Sequence, residues 1–281
     1  MYQGFAGVYD EFMQNIPADT WADYVEKLWN AHDLKPELVL DLACGTGSLT
    51  LELSKRGYDM IGSDMSAEML NIAREKAMSD GLSEKVLFLL QDMREFELFG
   101  TVQCILSTCD SMNYLLKEEE VRKVFELCEN YLDPGGLLMF DMNTEYKYKE
   151  LLGDRVFADK TEDAAFIWQN TYYPEDKINE YDVTFFRKEN GENSKGFLRK
   201  KKVLVEDKYI RFSENHLQKA YDKETVIRLL EEAHLKVEGV YDAFTLDEAR
   251  EDSERITFVA REVRKVPGDP AFRRSEAEED Q

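Results

Sequence analysis

The run Asp41-Leu-Ala-Cys-Gly-Thr-Gly47 and the acid Asp64 are the residues whose types and spacing point most directly to chemistry. Gly45 and Gly47 lack side chains, so the backbone there can turn sharply and approach a ligand closely. An apolar run precedes them and helical periodicity follows. The turn therefore lies at the carboxyl end of a strand, where open α/β sheets hold their ligands. Asp64 comes seventeen positions after Gly47, and a carboxylate there can accept from both hydroxyls of a ribose. Thr50 stands where the dinucleotide pattern has its third glycine. Asp41 suits a ligand bearing an ammonium, whereas it would repel a pyrophosphate. Together these point to an adenosine-type cofactor with a sulfonium, and they disfavour a nicotinamide oxidoreductase.

The elements around these residues alternate in kind. Trp21, Tyr24, Val25, Leu28, Trp29 and His32 share a helical stripe after Pro17. Strands are expected at residues 38–42, 59–63, 86–90, 102–107 and 137–141. A helix over 48–56 follows the glycine turn, and Ser66 caps the next one. Val121, Val124, Phe125 and Cys128 mark a further helix that stops before Asp133-Pro-Gly-Gly136. This is the pattern of a parallel sheet covered by helices.

After about residue 150 the texture changes. Segments 166–173, 177–187, 197–206 and 209–218 are rich in aromatic and β-branched residues and are separated by turn chemistry, which predicts an antiparallel β insertion. Helical spacing returns at Val226, Leu229, Leu230 and Ala233 after an Asp222 cap, and strands at 236–243 and 255–261 close the core. The divisions read as an N-terminal helical cap over 1–35, a core over 36–149 and 220–262, the insertion over 150–219 as lid or acceptor platform, and a disordered acidic tail over 263–281.

Acceptor-holding side chains are expected where the fourth and fifth strands end: Asp110, Asn113 and Tyr114 after the former, Asn143 after the latter. In the insertion, strand alternation puts Glu214, His216 and Gln218 on one face. His216 is the candidate for removing a proton from a hydroxyl or amine. The competing role for each of these residues is turn formation, capping or ordinary structural hydrogen bonding; His32 and His234 read as structural.

Composition narrows the classes further. Of 281 residues, 43% are hydrophobic, enough for a sizeable core. The formal charge is −22, which disfavours nucleic acid, although the run Arg199-Lys-Lys-Lys202 keeps RNA open. No apolar run is long enough to cross a bilayer and no secretory signal is read at the N-terminus, so a cytoplasmic location is expected. Cys44, Cys104, Cys109 and Cys128 lack metal-ligand spacing and read as free thiols; no metal is expected.

The ordered set Asp41-Leu-Ala-Cys-Gly-Thr-Gly47, Asp64-Met-Ser-Ala-Glu-Met-Leu70, Gln91-Asp-Met93 and Leu132-Asp-Pro-Gly-Gly136 resembles the class I S-adenosylmethionine-dependent methyltransferases. The resemblance implies a Rossmann-like α/β fold with a seven-stranded sheet, helices on both faces and an antiparallel last strand at 255–261. It also implies that Asp41, Ala43, Gly45 and Gly47 cradle the methionine part of S-adenosylmethionine, Asp64 and Met65 the ribose and adenine, and Asp92 and Met93 the adenine ring. The segment Phe5-Ala-Gly-Val-Tyr-Asp10 is similar to the capping segment of bacterial members with a β insertion, which would lay Tyr9 over the cofactor. A small-molecule acceptor is the favoured reading, an RNA or protein acceptor the second, and a non-catalytic cofactor-binding or scaffolding protein the third. Acceptor identity, attacking atom and oligomeric state stay open.

Overall fold

Leu-Val-Leu-Asp-Leu forms β1 (Leu38–Leu42) because its alternate side chains all find apolar cover. Leu40 and Leu42 point into one core and Val39 into another, so the strand is buried on both faces. In the computed structural model, which describes residues 16–188 and 208–265, this double burial extends across a sheet ordered β10-β11-β5-β4-β1-β2-β3. The members are β2 (Asp59–Asp64), β3 (Val86–Leu90), β4 (Val102–Ser107), β5 (Leu132–Asn143), β10 (Leu235–Asp242) and β11 (Arg255–Glu262). Strands β1 to β5 run parallel, while β11 lies antiparallel between β5 and β10. The expected α/β sheet with an antiparallel last strand is what the chain forms.

Helices α1 (Ala18–Ala31) and α2 (Ser48–Lys55) send Trp21, Leu28, Trp29, Leu49 and Leu53 into one core. Helices α4 (Glu118–Tyr131) and α5 (Lys223–Glu232) send Val121, Phe125, Val226 and Leu230 into the other. Helix α3 (Ala67–Ser79) begins as expected, with Ser66 Oγ accepting from Met69 N at 3.2 Å.

Three local expectations are corrected. The fifth strand starts at Leu132, with the Pro-Gly-Gly stretch forming an irregularity between the pairs Val102–Leu132 and Cys104–Leu137. Asp222 sits at the start of α5, but its carboxylate makes no cap bond and instead takes Lys177 Nζ at 2.7 Å. A strand absent from the sequence reading, β6 (Val156–Lys160), is mostly exposed and pairs on one side only, so it carries none of the apolar alternation that announces a strand.

With β7 (Ala164–Tyr173), β8 (Ile178–Lys188) and β9 (Tyr209–Lys219), β6 forms a separate four-stranded antiparallel sheet. The expected strand over 197–206, the Arg199–Lys202 run, Tyr9 with its segment, and the tail from residue 266 onward lie outside the described residues.

Candidate active site

The sheet order changes direction at β1. The loops after β1, β2 and β3 fall on one side, those after β4 and β5 on the other, and the crevice between β1 and β4 is the topological switch point. The glycine turn stands at its edge. Ala43, Gly45 and Gly47 all have positive φ, at 63°, 56° and 71°, a region that costs an ordinary side chain about 1–2 kcal/mol. The two glycines are needed for different reasons. A Cβ on Gly47 would stand 3.0 Å from Ala73 Cβ and 3.1 Å from the Phe88 ring, so this glycine lets α2 settle on α3 and β3. A Cβ on Gly45 would meet nothing within 4 Å. Among the described residues the side of Gly45 where a Cβ would stand is open, which fits close approach of a ligand.

Asp64 stitches the turn to β2: its Oδ2 accepts from Gly45 N and its Oδ1 from Ser66 N, both at 2.8 Å. Burial raises its carboxyl above the usual range, against the backbone donors that lower it. Met65 beside it is 62% exposed and Leu90, at the end of β3, is 55% exposed, so apolar side chains lie open at the carboxyl ends of β2 and β3. Asp41 is buried at 2% exposure, and Thr50 donates its hydroxyl to Asp41 Oδ2 at 2.5 Å. Loss of water pushes the Asp41 carboxyl up to about 6; the Thr50 bond pulls the other way and neighbouring Asp64 adds to the rise. A buried acid beside a partly buried one fits a cofactor bearing both an ammonium and a sulfonium. Asp92 is held on both oxygens by Arg94, at 2.5 Å from Nη2 and 3.0 Å from Nε, which keeps its carboxyl below the usual range. Met93 is partly buried against the core.

Across the crevice, Cys109 and Asp110 follow β4 with φ of 59° and 54°, two successive left-handed residues that are not glycine. Such strain persists only where surroundings enforce it, and a charge cluster does so here. Arg255, from the start of β11, donates to Asp110 Oδ1 at 2.6 Å and to Asp141 Oδ2. Asp110 N donates to Asp141 Oδ2 at 3.0 Å and Gln218 Nε2 to Asp110 Oδ2 at 2.6 Å. Trp21 lies under the guanidinium at 6.0 Å. Asn113, fully buried, gives both amide hydrogens to main-chain carbonyls, those of Asn143 at 3.1 Å and Lys219 at 2.8 Å, while accepting from Asn143 N at 2.9 Å. Asn143 Oδ1 accepts from Lys147 Nζ at 2.8 Å, whose amine burial pulls below its ordinary range. Asn113 and Asn143 thus latch the loop to β5 and β9, and Asp110 is an anchor for Arg255 and Gln218. Of the four acceptor candidates, Tyr114 is the exposed one, at 40%.

The alternation expected in β9 is present. Glu214, His216 and Gln218 are buried while Ser213, Asn215 and Leu217 are exposed. Gln218 also accepts from Tyr148 Oη at 2.9 Å, joining β9 to the helical turn after β5. His216 Nδ1 lies 3.4 Å from Tyr114 Oη, and burial holds the imidazole below its ordinary pKa, favouring the neutral base. The second sheet therefore overhangs the carboxyl ends of β4 and β5 and brings His216 to Tyr114. Arg255 and Lys147 escaped the sequence reading, as did the roles of Thr50 and Gln218 as partners of Asp41 and Asp110. Thr50 had a signal, its place in the third-glycine slot; Arg255 and Gln218 are far in sequence from what they touch, and Lys147, four residues from Asn143, stood in a polar stretch with nothing to single it out.

Known proteins agree with this geometry. The family described as "Methyltransferase domain" matches residues 39–136. The chain is 35% identical to the Bacillus subtilis (strain 168) protein called "Putative methyltransferase YqeM", covering 95% of this chain and 99% of that one. A crystal structure of an S-adenosylmethionine-dependent methyltransferase from Clostridium acetobutylicum ATCC 824 superposes with TM-score 0.78 at 27% identity, over 93% of this chain and 99% of the other. The S-adenosylmethionine-bound CalS10, an amino pentose methyltransferase from Micromonospora echinaspora, shares the fold at TM-score 0.69 and 18% identity, over 94% and 98% of the two chains. On the match to the Bacillus subtilis relative across nearly the whole length of both chains, this chain is a member of the class I S-adenosylmethionine-dependent methyltransferases.

Proposed function

We propose that the enzyme transfers a methyl group by direct displacement to a small-molecule acceptor held between the loop at 108–114 and the inner face of the second sheet. The observation that carries this is the meeting of His216 with Tyr114, 3.4 Å apart, over the carboxyl end of β4, the strand next to β1. When bound, S-adenosylmethionine supplies an electrophilic methyl on a good leaving group, so the protein's task is alignment and exclusion of water.

In this reading Asp41, Ala43, Gly45 and Gly47 hold the methionine part, with the Asp41 carboxylate facing the ammonium. Asp64 takes the ribose hydroxyls on the lone pairs its backbone donors leave free, and Met65 and Met93 bracket the adenine, whose amino group turns to Asp92. Tyr9 would lie over the cofactor. Tyr114 orients the acceptor, and His216 takes a proton at an imidazole nitrogen if the acceptor loses one. Asp110 and Asn143 act through the positions they hold, tying the acceptor loop in place. The same outline serves a small sugar acceptor in CalS10, and among the described residues no helix is long and apolar enough to cross a membrane.

Thermal-shift titration tests the cofactor side, because a ligand of the native state raises its apparent stability. S-adenosylmethionine and S-adenosylhomocysteine should raise Tm and NAD should not. Methyl-labelled cofactor incubated with fractionated extract tests the acceptor side. Label in the small-molecule fraction is the expected result; label confined to RNA or protein would overturn the acceptor assignment.

A further inference from the structure

Asp92, the acid proposed for the adenine amino group, follows β3, whose last residue Leu90 pairs with Asp64. Gln91 N continues that contact by donating to the Asp64 main-chain carbonyl at 3.0 Å. The two acids proposed for ribose and adenine therefore stand at the carboxyl ends of neighbouring strands. Asp92, Arg94 and Glu120 line one cavity of about 340 Å³, so this carboxylate opens to a ligand instead of being sealed in protein.

Arg94 wraps this carboxylate. Its main-chain N donates to Oδ1 at 2.9 Å, its Nε to Oδ1 at 3.0 Å and to Oδ2 at 3.2 Å, and its Nη2 to Oδ2 at 2.5 Å. A carboxylate has about four acceptor positions. Both positions of Oδ1 are taken, whereas Oδ2 has one short bond and a share in a longer one. The planar guanidinium also sets the plane of the carboxylate, and with it the direction of the position left over. The remaining nitrogen, Nη1, donates to Glu120 Oε1 at 2.9 Å. Glu120 Oε2 accepts from Leu116 N and Lys117 N at 3.1 and 3.3 Å, which pins the guanidinium to the start of α4. The Arg94 side chain is 42% exposed and that of Asp92 19%, and ion pairs open to water add little to stability. What this pair contributes is geometry.

We infer that Arg94 is the positioning residue for adenine recognition: by clamping Asp92 it leaves one Oδ2 lone pair, in a fixed direction, for an N–H of the 6-amino group, and so sets a preference for a 6-aminopurine over a 6-oxopurine. An oxo group in that place would present a lone pair where the hydrogen belongs, leaving two acceptors face to face. Arg94 and, from further off, Lys123 hold the carboxyl below its usual range, so at neutral pH it accepts and does not donate. This inference rests on the place proposed above for Asp92 and adds what fixes its aim.

The test measures binding of S-adenosylhomocysteine and of S-inosylhomocysteine, its 6-oxo analogue, to the full chain by titration calorimetry. Wild type should prefer the adenosyl compound by about tenfold or more, the factor that one hydrogen bond to a charged group supplies. Arg94→Met should bring that ratio to within about threefold of unity. A general loosening of the fold would instead weaken both ligands alike and leave the ratio where it was. Arg94→Lys keeps the charge without the planar fork and should fall between the two. An unchanged ratio in Arg94→Met, or loss of both ligands together, overturns the inference. Should Arg94→Met give no cooperative melt, Arg94→Lys against wild type decides, and an unchanged ratio there counts against the clamp. Asp92→Asn tests the reading underneath: its amide can turn an N–H toward an oxo group, so the preference should vanish or reverse. If it persists in Asp92→Asn, or wild type shows none, the adenine place of Asp92 is wrong and the inference falls with it. If Asp92→Asn erases the preference and Arg94→Met keeps it, the clamp alone is wrong.

Discussion

Thr50 donates its hydroxyl to Asp41 at 2.5 Å, so the residue that stands in place of a third glycine is the one that holds the buried acid before the glycine turn. The bond keeps Asp41 aimed at the crevice while burial penalises its charge. The enzyme thus holds a carboxylate in a state that suits a cationic ligand better than it suits the empty fold.

Asp41 makes stability and binding pull in opposite directions. Its carboxyl rises from 3.8 to about 6 in the fold, so the native state holds the proton more tightly than the unfolded chain. Stability falls as pH rises from about 4 to about 6 and stays reduced above that, by up to roughly 3 kcal/mol from a shift of about two units. Asp41→Asn should therefore raise Tm of the ligand-free protein at pH 7 and flatten its pH dependence across that window. It should also abolish the thermal shift caused by S-adenosylhomocysteine. Equal Tm values for variant and wild type at pH 7 would contradict the assignment.

Gly47→Ala and Gly45→Ala should separate folding from binding. At Gly47 the new methyl meets Ala73 and Phe88 at about 3 Å in addition to the positive φ, which predicts a loss of about 2–4 kcal/mol from overpacking and backbone strain together. At Gly45 there is no clash, so stability should fall by only about 1 kcal/mol, from the backbone alone, while the added methyl occupies the side open to the ligand and weakens cofactor binding. Denaturant melts paired with cofactor titrations would check both, and a Gly45→Ala chain with wild-type affinity would refute the role given to that open side.

Arg255 compensates two acids, one of them fully buried, and burial already raises the Asp141 carboxyl. Arg255→Met should cost about 3–5 kcal/mol, the usual penalty for leaving a buried charge without its partner. It should also loosen the strained Cys109–Asp110 turn. The loss should shrink in acid, where the orphaned carboxyls take up protons. A loss independent of pH would mean that packing on Trp21, and not charge, sets the cost.

His216 is held below its ordinary pKa of 6.5 by burial. The unfolded chain therefore binds the proton more readily, and stability drops as pH falls below 6.5. His216→Asn should remove that acid-side loss, seen as a smaller Tm difference between pH 7 and pH 5.5. If His216 takes a proton from the acceptor, the variant should lower kcat by about 10²–10³ with the cofactor-induced thermal shift unchanged. Undiminished turnover would leave it the structural role of packing on Tyr114.

The glycine turn, the acid after the next strand, the capping Ser66 and the alternation of Glu214, His216 and Gln218 were legible because each depends on spacing within one or two adjacent elements. Strand β6 was illegible because an exposed edge strand buries too little to leave a pattern. Asn113 and Asn143 looked like acceptor contacts because a polar residue in a loop after a strand can either bind a ligand or tie down the loop, and nothing local separates the two.

Local order along the chain thus carried the cofactor side proposed for this enzyme, since strand, turn and helix are set by side-chain period and by where glycine relieves the backbone. The acceptor side came from folding. Arg255 reaches Asp110 across 145 residues and His216 reaches Tyr114 across 102. Partners that distant are chosen by strand order and by how one sheet lies over the end of another. Whether a buried acid finds a cation or waits for one depends on that geometry, which no spacing in the chain encodes.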